Sequence, residues 1–325
     1  NHNGSLDRAI KLVEKAAECG AGAIKLQTFK PDTLTMDSYN KDFYIDDKKS
    51  LWHERRLWDL YEEAQTPWEW HEEIFQRARE LGLAAISTAF DITSADFLKD
   101  IGVDAIKISS FELIHLPLIE YVARTGLPML VSTGMATLGE INEAYSIIDK
   151  HNPKNSVLLK CTSAYPSIEM DANIITITDM RERFGCLVGL SDHCLKQYAA
   201  FSAIALGAVV IEKHFTFDRS EGGLDADFSM EPDDLKFLAE GAALVWQSLG
   251  KVNYEAQGSE STSLKERPSI YAAKDIKHGE LFTEENIKII RPGFGLRPKE
   301  YGSLLGKKSN TDIGRETAIE AKMVK

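Results

Sequence analysis

Cys186-Leu-Val-Gly-Leu-Ser-Asp-His193 and Ala208-Val-Val-Ile-Glu-Lys-His214-Phe-Thr-Phe217 are two apolar runs that turn polar at their ends, separated by a helix-length stretch from Cys194 to Gly207. Strand, helix and strand in that order lay the two strands parallel, with their ends at one edge of one sheet. His193 and His214 are therefore expected to emerge side by side. Imidazole is the commonest protein ligand of a metal ion, and two at neighbouring strand ends can share one. A single histidine on a strand is more often a satisfied core residue; the matched placement of two favours a site.

The same rhythm runs outward from this unit. Strand candidates are 21–29, 83–90, 105–112, 128–135, 156–165, 186–193 and 208–217, and helix patterns fill 6–19, 93–100, 116–125 and 138–150. Turn signals such as Gly20-Ala-Gly22, Leu81-Gly82 and Thr125-Gly126 close several of the helices. Repeated strand–helix units imply a parallel sheet. Asn1-His-Asn-Gly4 reads as a strand-to-helix loop whose strand is expected upstream of residue 1, and that strand completes the eight of a (β/α)8 TIM barrel. An open doubly wound sheet is the alternative, but no Gly-x-Gly-x-x-Gly follows a strand.

Every candidate strand ends in polar groups: Lys25 and Gln27; Ser87 and Thr88; Lys107, Ser109, Ser110 and Glu112; Ser132 and Thr133; Lys160, Thr162, Ser163 and Tyr165; Ser191 and Asp192; Glu212 and Lys213. Barrel interiors are apolar layers and the C-terminal rim carries the chemistry, so the repeated endings point to an active-site mouth. Buried lysines are costly unless they meet an anion, so Lys25, Lys107, Lys160 and Lys213 with the surrounding hydroxyls suggest a cradle for phosphate or carboxylate. A Schiff-base aldolase would use one desolvated lysine instead; several lysines beside two metal-type histidines fit the cradle better.

A connection of about fifty residues, 30–82, interrupts the rhythm and is rich in aromatics, among them Tyr39, Trp52, Trp58, Trp68 and Trp70. Residues 30–52 read as a lid; 58–70 has helical spacing and reads equally as a lid or as a helix packed on the barrel flank. After Gly250 comes a polar linker, 251–267, and then short alternating segments with turn residues, 268–325. That second module is small and polar enough to need another surface to rest on. The linker can reach across an interface at about 3.3 Å per extended residue, so a homodimer with exchanged modules is expected.

The formal charge of −12 argues against nucleic acid or an anionic membrane as the main partner. No apolar stretch is long enough to cross a bilayer. The four cysteines, Cys19, Cys161, Cys186 and Cys194, show no C-x-x-C spacing and read as buried reduced thiols. With no signal peptide visible, a cytoplasmic location is expected, although the chain starts at Asn1 rather than Met.

Asn1-His-Asn-Gly4, Lys25-Leu-Gln-Thr28, Lys107-Ile-Ser-Ser-Phe-Glu112, Ser132-Thr-Gly-Met135, Gly189-Leu-Ser-Asp-His193 and Glu212-Lys-His-Phe-Thr216, in this order, resemble the motif series of the sialic acid synthase family. Those enzymes condense phosphoenolpyruvate with an open-chain amino sugar to make nonulosonic acids. The resemblance covers the barrel, and the C-terminal module resembles the family's antifreeze-like (SAF) domain. Leu57-Trp-Asp-Leu-Tyr-Glu-Glu-Ala-Gln-Thr-Pro-Trp-Glu-Trp-His71 and Asp218-Arg-Ser-Glu-Gly-Gly-Leu-Asp-Ala-Asp-Phe-Ser229 resemble the pseudaminic acid branch in particular. N-acetylneuraminate synthases carry a glutamate where Asn3 stands and usually an asparagine where Ser163 stands.

The resemblance implies that His193 and His214 hold a divalent ion, Mn²⁺, Mg²⁺ or Co²⁺. It implies that Lys25, Thr88, Lys107, Ser110, Ser163 and Ser191 bind the phosphoenolpyruvate phosphate and carboxylate, and that Glu112 lies near the reacting carbons. Gln27, Tyr165 and Asp225 would meet the sugar. In the family an arginine of the small module enters the neighbouring subunit's mouth, and Arg291 in Arg291-Pro-Gly293 matches it.

Overall fold

The apolar runs form parallel strands that pair in chain order: β1 (Ala23–Thr28), β2 (Ala84–Ala89), β3 (Ala105–Ile108), β4 (Met129–Ser132), β5 (Ser156–Cys161), β6 (Leu187–Ser191) and β7 (Val210–Glu212). The computed structural model describes residues 1–325 and divides into two units, Asn1–Gly250 and Lys251–Lys325. Parallel neighbours need a crossover, and helices supply it. They include Leu6–Glu18, His71–Glu80, Ile92–Asp100, Leu116–Arg124, Leu138–His151, Thr176–Phe184 and Tyr198–Ala205, with Pro232–Leu249 after β7. The result is a TIM-barrel-like sheet of seven strands, with β1 and β7 at the ends of the order. The strand expected upstream of residue 1 lies outside the described residues.

Local chemistry sets the helix limits. Ser5 caps the first helix by accepting the Arg8 N–H, and Ala9, Leu12, Val13 and Ala16 bury one face at helical spacing. Thr137 and Glu140 form a capping box at the start of Leu138–His151, and Gly185 ends Thr176–Phe184 in a left-handed conformation.

Alternation along the strands makes two separate apolar layers. Ile106, Ile108, Met129, Val131, Leu158, Val188 and Leu190 belong to the large cluster shared with the helices. Ala105, Leu130 and Leu159 form a small inner cluster, with Ile86, Val157 and Val210 against it. Extending the inner parity toward the strand ends reaches Lys25, Gln27, Thr88, Lys107, Ser132, Cys161, Ser191, His193, Glu212 and His214. Position 160 and position 213 have the opposite parity, which corrects the expectation that all four lysines share one cradle. Lys160 Nζ bonds the Cys161 carbonyl at 2.8 Å, and Lys213 is buried in an ion pair with Asp192 at 2.8 Å.

The strands are shorter than their apolar and polar tails suggest. β3 stops at Ile108, and Phe111–Ile114 forms a 3-10 turn in which Ser109 donates to the Glu112 carboxylate. Short polar side chains compete with ladder pairing for backbone geometry, so Ser109, Ser110 and Glu112 sit on the loop just past β3. The helix after β6 is also shorter than Cys194–Gly207, spanning only Tyr198–Ala205.

The long connection is ordered. A hairpin-like strip pairs Tyr44 with Arg56, and Ile45 exchanges backbone hydrogen bonds with Arg55 and Glu54 at 3.0 and 2.8 Å. Arg56 ties the strip together through Asp37 and Asp59, with its guanidinium 4.5 Å from the Tyr39 ring centroid. The helix Leu57–Ala64 ends ahead of Pro67, a residue that disfavours helix just before it, and a 3-10 turn Trp68–Trp70 leads into His71–Glu80.

The second unit has its own core of Ile270, Ala272, Ile276, Phe282, Ile287, Leu304, Ile313 and Ile319. β8 (Ser269–Ala272) pairs antiparallel with β9 (Ile287–Ile290). Residues 251–267 hold two 3-10 turns, Gly258–Glu260 and Ser263–Glu266, and are exposed throughout. No helix in either unit is long and apolar enough to cross a membrane.

Candidate active site

Glu212 is the hub of the inner rim. Its carboxylate lies 3.5 Å from Lys107 Nζ and 3.7 Å from Lys25 Nζ, and accepts from Ser191 Oγ at 3.1 Å. Burial alone would raise the Glu212 carboxyl, but Lys107 and Lys25 outweigh it and hold it down at about 2. Burial lowers the Lys107 ammonium, and Lys25 adds to that, with Glu212 opposing both. Two ammonium groups facing one carboxylate leave an excess positive charge in a buried place, which an anionic ligand would neutralise.

Hydroxyls surround this charge. Ser110 Oγ accepts the Gly134 N–H at 3.0 Å. A Cβ at residue 134 would stand 2.2 Å from Ser163 Oγ and 2.7 Å from Ser110 Oγ, so glycine there is what lets the two serines converge. Ser132 Oγ is buried with no partner in the protein, and Ser132 and Thr88 both line the cavity. Thr133 turns away instead, donating to the Leu159 carbonyl at 3.1 Å.

Beside the lysines stand the two histidines, ring centroids 5.4 Å apart. His193 Nδ1 donates to the Thr162 carbonyl at 2.9 Å, and His214 Nδ1 faces Asp225 Oδ2 at 3.2 Å. Bonds at Nδ1 fix both rings and leave Nε2 as the ligating nitrogen, the arrangement metal-binding histidines need. Burial lowers His214, partly offset by Asp225, which favours the neutral form a metal requires. Burial also pulls on His193, but its hydrogen bonds to Cys161 and to the Thr162 carbonyl outweigh it and the net shift is upward. The same contact brings the Cys161 thiol down to about 7 against its burial. No group of three or more His, Cys, Asp or Glu is arranged to hold an ion. A divalent ion on this pair would have two protein ligands, the other positions falling to water and substrate.

The far side of the mouth is aromatic. Tyr165 lies 4.5 Å from His193 and 5.0 Å from Phe228, and Phe228 lies 4.9 Å from His214. Trp52 completes the wall at 5.9 Å from Tyr165 and 6.3 Å from Phe228. Burial raises the carboxyl of Glu112, with the Ser109 hydrogen bond opposing, on the β3 side of the mouth.

One cavity of about 1900 Å³ contains these groups, together with Gln27, Asp225 and the Asn1–Gly4 loop. Leu34, Ile45, Trp52 and Tyr61 from the long connection also line it. Lys25, Gln27, Thr88, Lys107, Ser110, Glu112, Tyr165, Ser191, His193, His214 and Asp225 therefore share one cavity, with Ser163 at its edge beside Cys161, 3.8 Å away. Arg291 lies in the other unit, on an exposed bend after β9.

Glu212, Gly134 and Cys161 belong to this site although the sequence reading gave them no binding role. Parity could have found two of them, since Glu212 precedes His214 by two residues and Cys161 is two beyond Leu159. Nothing in the pattern pairs Trp52 with Phe228.

Comparison with known proteins bears on the whole chain. Residues 12–254 match the NeuB family and residues 267–325 the SAF domain. The chain is 42% identical over 316 residues to a pseudaminic acid synthase of Campylobacter jejuni (strain 81-176), covering 96% of this chain and 91% of that one. It is 38% identical to a pseudaminic acid synthase of Helicobacter pylori, covering 99% and 94%. It is 36% identical to an N,N'-diacetyllegionaminic acid synthase of Campylobacter jejuni, covering 94% and 92%. The crystal structure of an N-acetylneuraminic acid synthetase from Leptospira borgpetersenii in complex with citrate superposes with a TM-score of 0.71 at 31% identity, covering 81% of this chain and 87% of that one.

Proposed function

The chain belongs to the NeuB family of nonulosonic acid synthases, and from that membership we propose that it condenses phosphoenolpyruvate with 2,4-diacetamido-2,4,6-trideoxy-L-altrose and water, giving pseudaminic acid and phosphate. The observation that carries this reading is the pairing of two lysines on Glu212 directly beside His193 and His214. The identity to pseudaminic acid synthases supports the choice of sugar.

In this reading Lys25 and Lys107 bind the phosphate, and Thr88, Ser110, Ser132, Ser163 and Ser191 donate to the phosphate and carboxylate oxygens. Gln27, Tyr165 and Asp225 orient the open-chain sugar so that its aldehyde carbon meets C3 of phosphoenolpyruvate. The new C–C bond leaves a cationic centre at C2, water adds there, and phosphate departs with cleavage of its C–O bond. The lysines match the charge of the leaving phosphate. Glu112, whose carboxyl burial raises, serves as the acid–base group for the proton gained by the aldehyde oxygen and the proton lost by the water that adds at C2. A divalent ion, Mn²⁺, Mg²⁺ or Co²⁺, held by His193 and His214 would supply Lewis acidity toward the aldehyde oxygen.

The reading includes a homodimer in which Arg291 of each chain contacts the sugar in the partner's mouth. Its support is a belt of exposed apolar side chains on the rim loops, Phe111, Ile114, Met135, Leu138, Ile168 and Met170, of the kind that marks an association surface.

Phosphate release with phosphoenolpyruvate and each candidate sugar in turn tests the assignment. The altrose-type sugar should be consumed with kcat/KM at least about tenfold above N-acetylmannosamine or the legionaminic acid precursor, a modest demand for discrimination by side-chain contacts. Label in the bridging oxygen of phosphoenolpyruvate should appear in phosphate. Preference for another sugar reassigns the substrate, and no release with any sugar refutes the reaction.

A further inference from the structure

The long connection contributes one side chain whose placement the reaction above does not use. Trp52 sits at the end of the Tyr44–Arg56 strip, half-buried, with its ring against Tyr165 and Phe228. Its indole N–H donates to the Leu224 carbonyl at 3.1 Å, bridging 172 positions of sequence. The next residue is Asp225, which holds His214. Two consequences follow from these contacts. The only polar atom of the indole is already satisfied, so what Trp52 turns toward the cavity is apolar. The strip is also pinned to the loop that positions Asp225, so the wall has a fixed distance from the two histidines.

Phe228 is almost fully buried, which leaves Trp52 and Tyr165 as the wall's accessible surface, continued by Leu34 and Ile45 along the same cavity. Opposite stand the ammonium groups and hydroxyls of the anion cradle. A sugar held between them turns its hydroxyls to one side and its carbon substituents to the other. A methyl group, whether the 6-deoxy carbon or an acetamido methyl, loses no hydrogen bond against rings. A hydroxymethyl group does wherever it meets the ring faces, because they cannot replace the water it gives up.

We propose that Trp52, with Tyr165 and Phe228, forms an apolar wall that makes the enzyme select methyl-bearing sugars and disfavour those with a free hydroxymethyl group. The inference rests on the reaction proposed above and names the group by which that site chooses its sugar. Trp52 is a specificity residue here, with no role in holding phosphoenolpyruvate.

The test compares wild type with Trp52→Ala and Trp52→Phe, using kcat/KM for the 2,4-diacetamido-2,4,6-trideoxy sugar over that for N-acetylmannosamine. In Trp52→Ala the ratio should fall about tenfold, mostly through KM for the deoxy sugar, as loss of an apolar pocket contact implies. The KM for phosphoenolpyruvate should stay within about twofold, which separates a lost wall from a loosened barrel. In Trp52→Phe, which keeps a ring and drops the bond to Leu224, the ratio should fall by less. If Trp52→Ala fails to fold, Trp52→Phe decides, and an unchanged ratio there overturns the wall. An unchanged ratio in a folded Trp52→Ala overturns it directly, as does an equal loss for phosphoenolpyruvate and sugar. Failure of the wild type to release phosphate with any sugar is a different result: it removes the proposed reaction, and the wall with it.

Discussion

On one side of the mouth the polar groups come from neighbouring strand ends; on the other, the aromatic wall is assembled from segments remote in sequence. Lys25, Thr88, Lys107, Ser132, Ser191 and Glu212 all belong to β1–β4, β6 and β7 and share one parity, and Glu212 holds the two lysines and Ser191 by contacts of 3.1 to 3.7 Å. Trp52, Tyr165 and Phe228 lie on three different loops, joined by ring contacts and the single bond from Trp52 to Leu224. Strand ends are held by the ladder to at least one neighbour, so the anion half is preorganised before any ligand arrives. Loops carry variation at little cost to the fold. Under the proposed reaction the difference teaches a division of labour: the half assigned to the shared anion is built into the sheet, and the half assigned to choosing among sugars is built from what the sheet connects.

His193 and His214 stand on the boundary between the halves, and removing either should have the largest effect. His193→Ala or His214→Ala should lower turnover by at least about a thousandfold, as expected for loss of a ligand from a catalytic ion. Unchanged circular dichroism should show the barrel intact, and excess chelator should reproduce the loss in wild type. Full activity in chelator would remove the ion from the proposed reaction and leave the histidines as polar contacts for the sugar.

Lys107→Met separates the halves more sharply. The change keeps the length of the stem and removes one of two charges facing Glu212. Phosphoenolpyruvate KM should rise about a hundredfold, in keeping with the loss of a buried charge-assisted contact. The sugar KM should move much less, because Lys107 faces the anion half. Similar increases for both substrates would show that the halves do not act separately.

How much of this was legible follows from the same division. All seven strands were visible as apolar runs, most plainly β3 and β4, whose residues are buried on both faces. Period-two alternation also carried the candidate residues on the rim, although it was not applied strictly enough to exclude Lys160 and Lys213. Gly134 escaped because its importance is the absence of an atom between Ser110 and Ser163. Trp52 escaped for a stronger reason. Its partners Tyr165 and Phe228 follow no spacing rule, and only the folded path of 30–82 brings them together. The motif resemblance supplied roles for Tyr165 and Asp225 that periodicity could not have assigned.

The last and smallest expected effect concerns where the two constructions meet. The long connection ends at His71, which opens the helix His71–Glu80, and its ring is tied to the helix-facing side of β1 and β2. Nε2 accepts from the Thr28 hydroxyl at 2.7 Å, Thr28 in turn meets Ser87 Oγ at 2.7 Å, and Nδ1 donates to the Pro67 carbonyl at 3.2 Å. All three side chains are fully buried. Burial pushes the His71 imidazole down to about 4, against the pull of the Pro67 carbonyl. The folded value lies below the unfolded one of 6.5, so between these pH values the unfolded chain takes up the proton and the folded chain does not. Stability is therefore fully present above about pH 6.5 and falls as the pH drops toward 4, by about 3 kcal/mol from this group at roughly 1.4 kcal/mol per unit. His2, also lowered to about 4 by burial, adds a smaller slope of the same sign. Urea unfolding across this range should show the decline in wild type. His71→Gln, which keeps an acceptor for Thr28 and cannot charge, should be weaker at pH 7 by about 1 kcal/mol and much flatter below it. An equal slope in the variant would mean that other groups set the acid limit, and that the join between the connection and the sheet does not depend on a neutral His71.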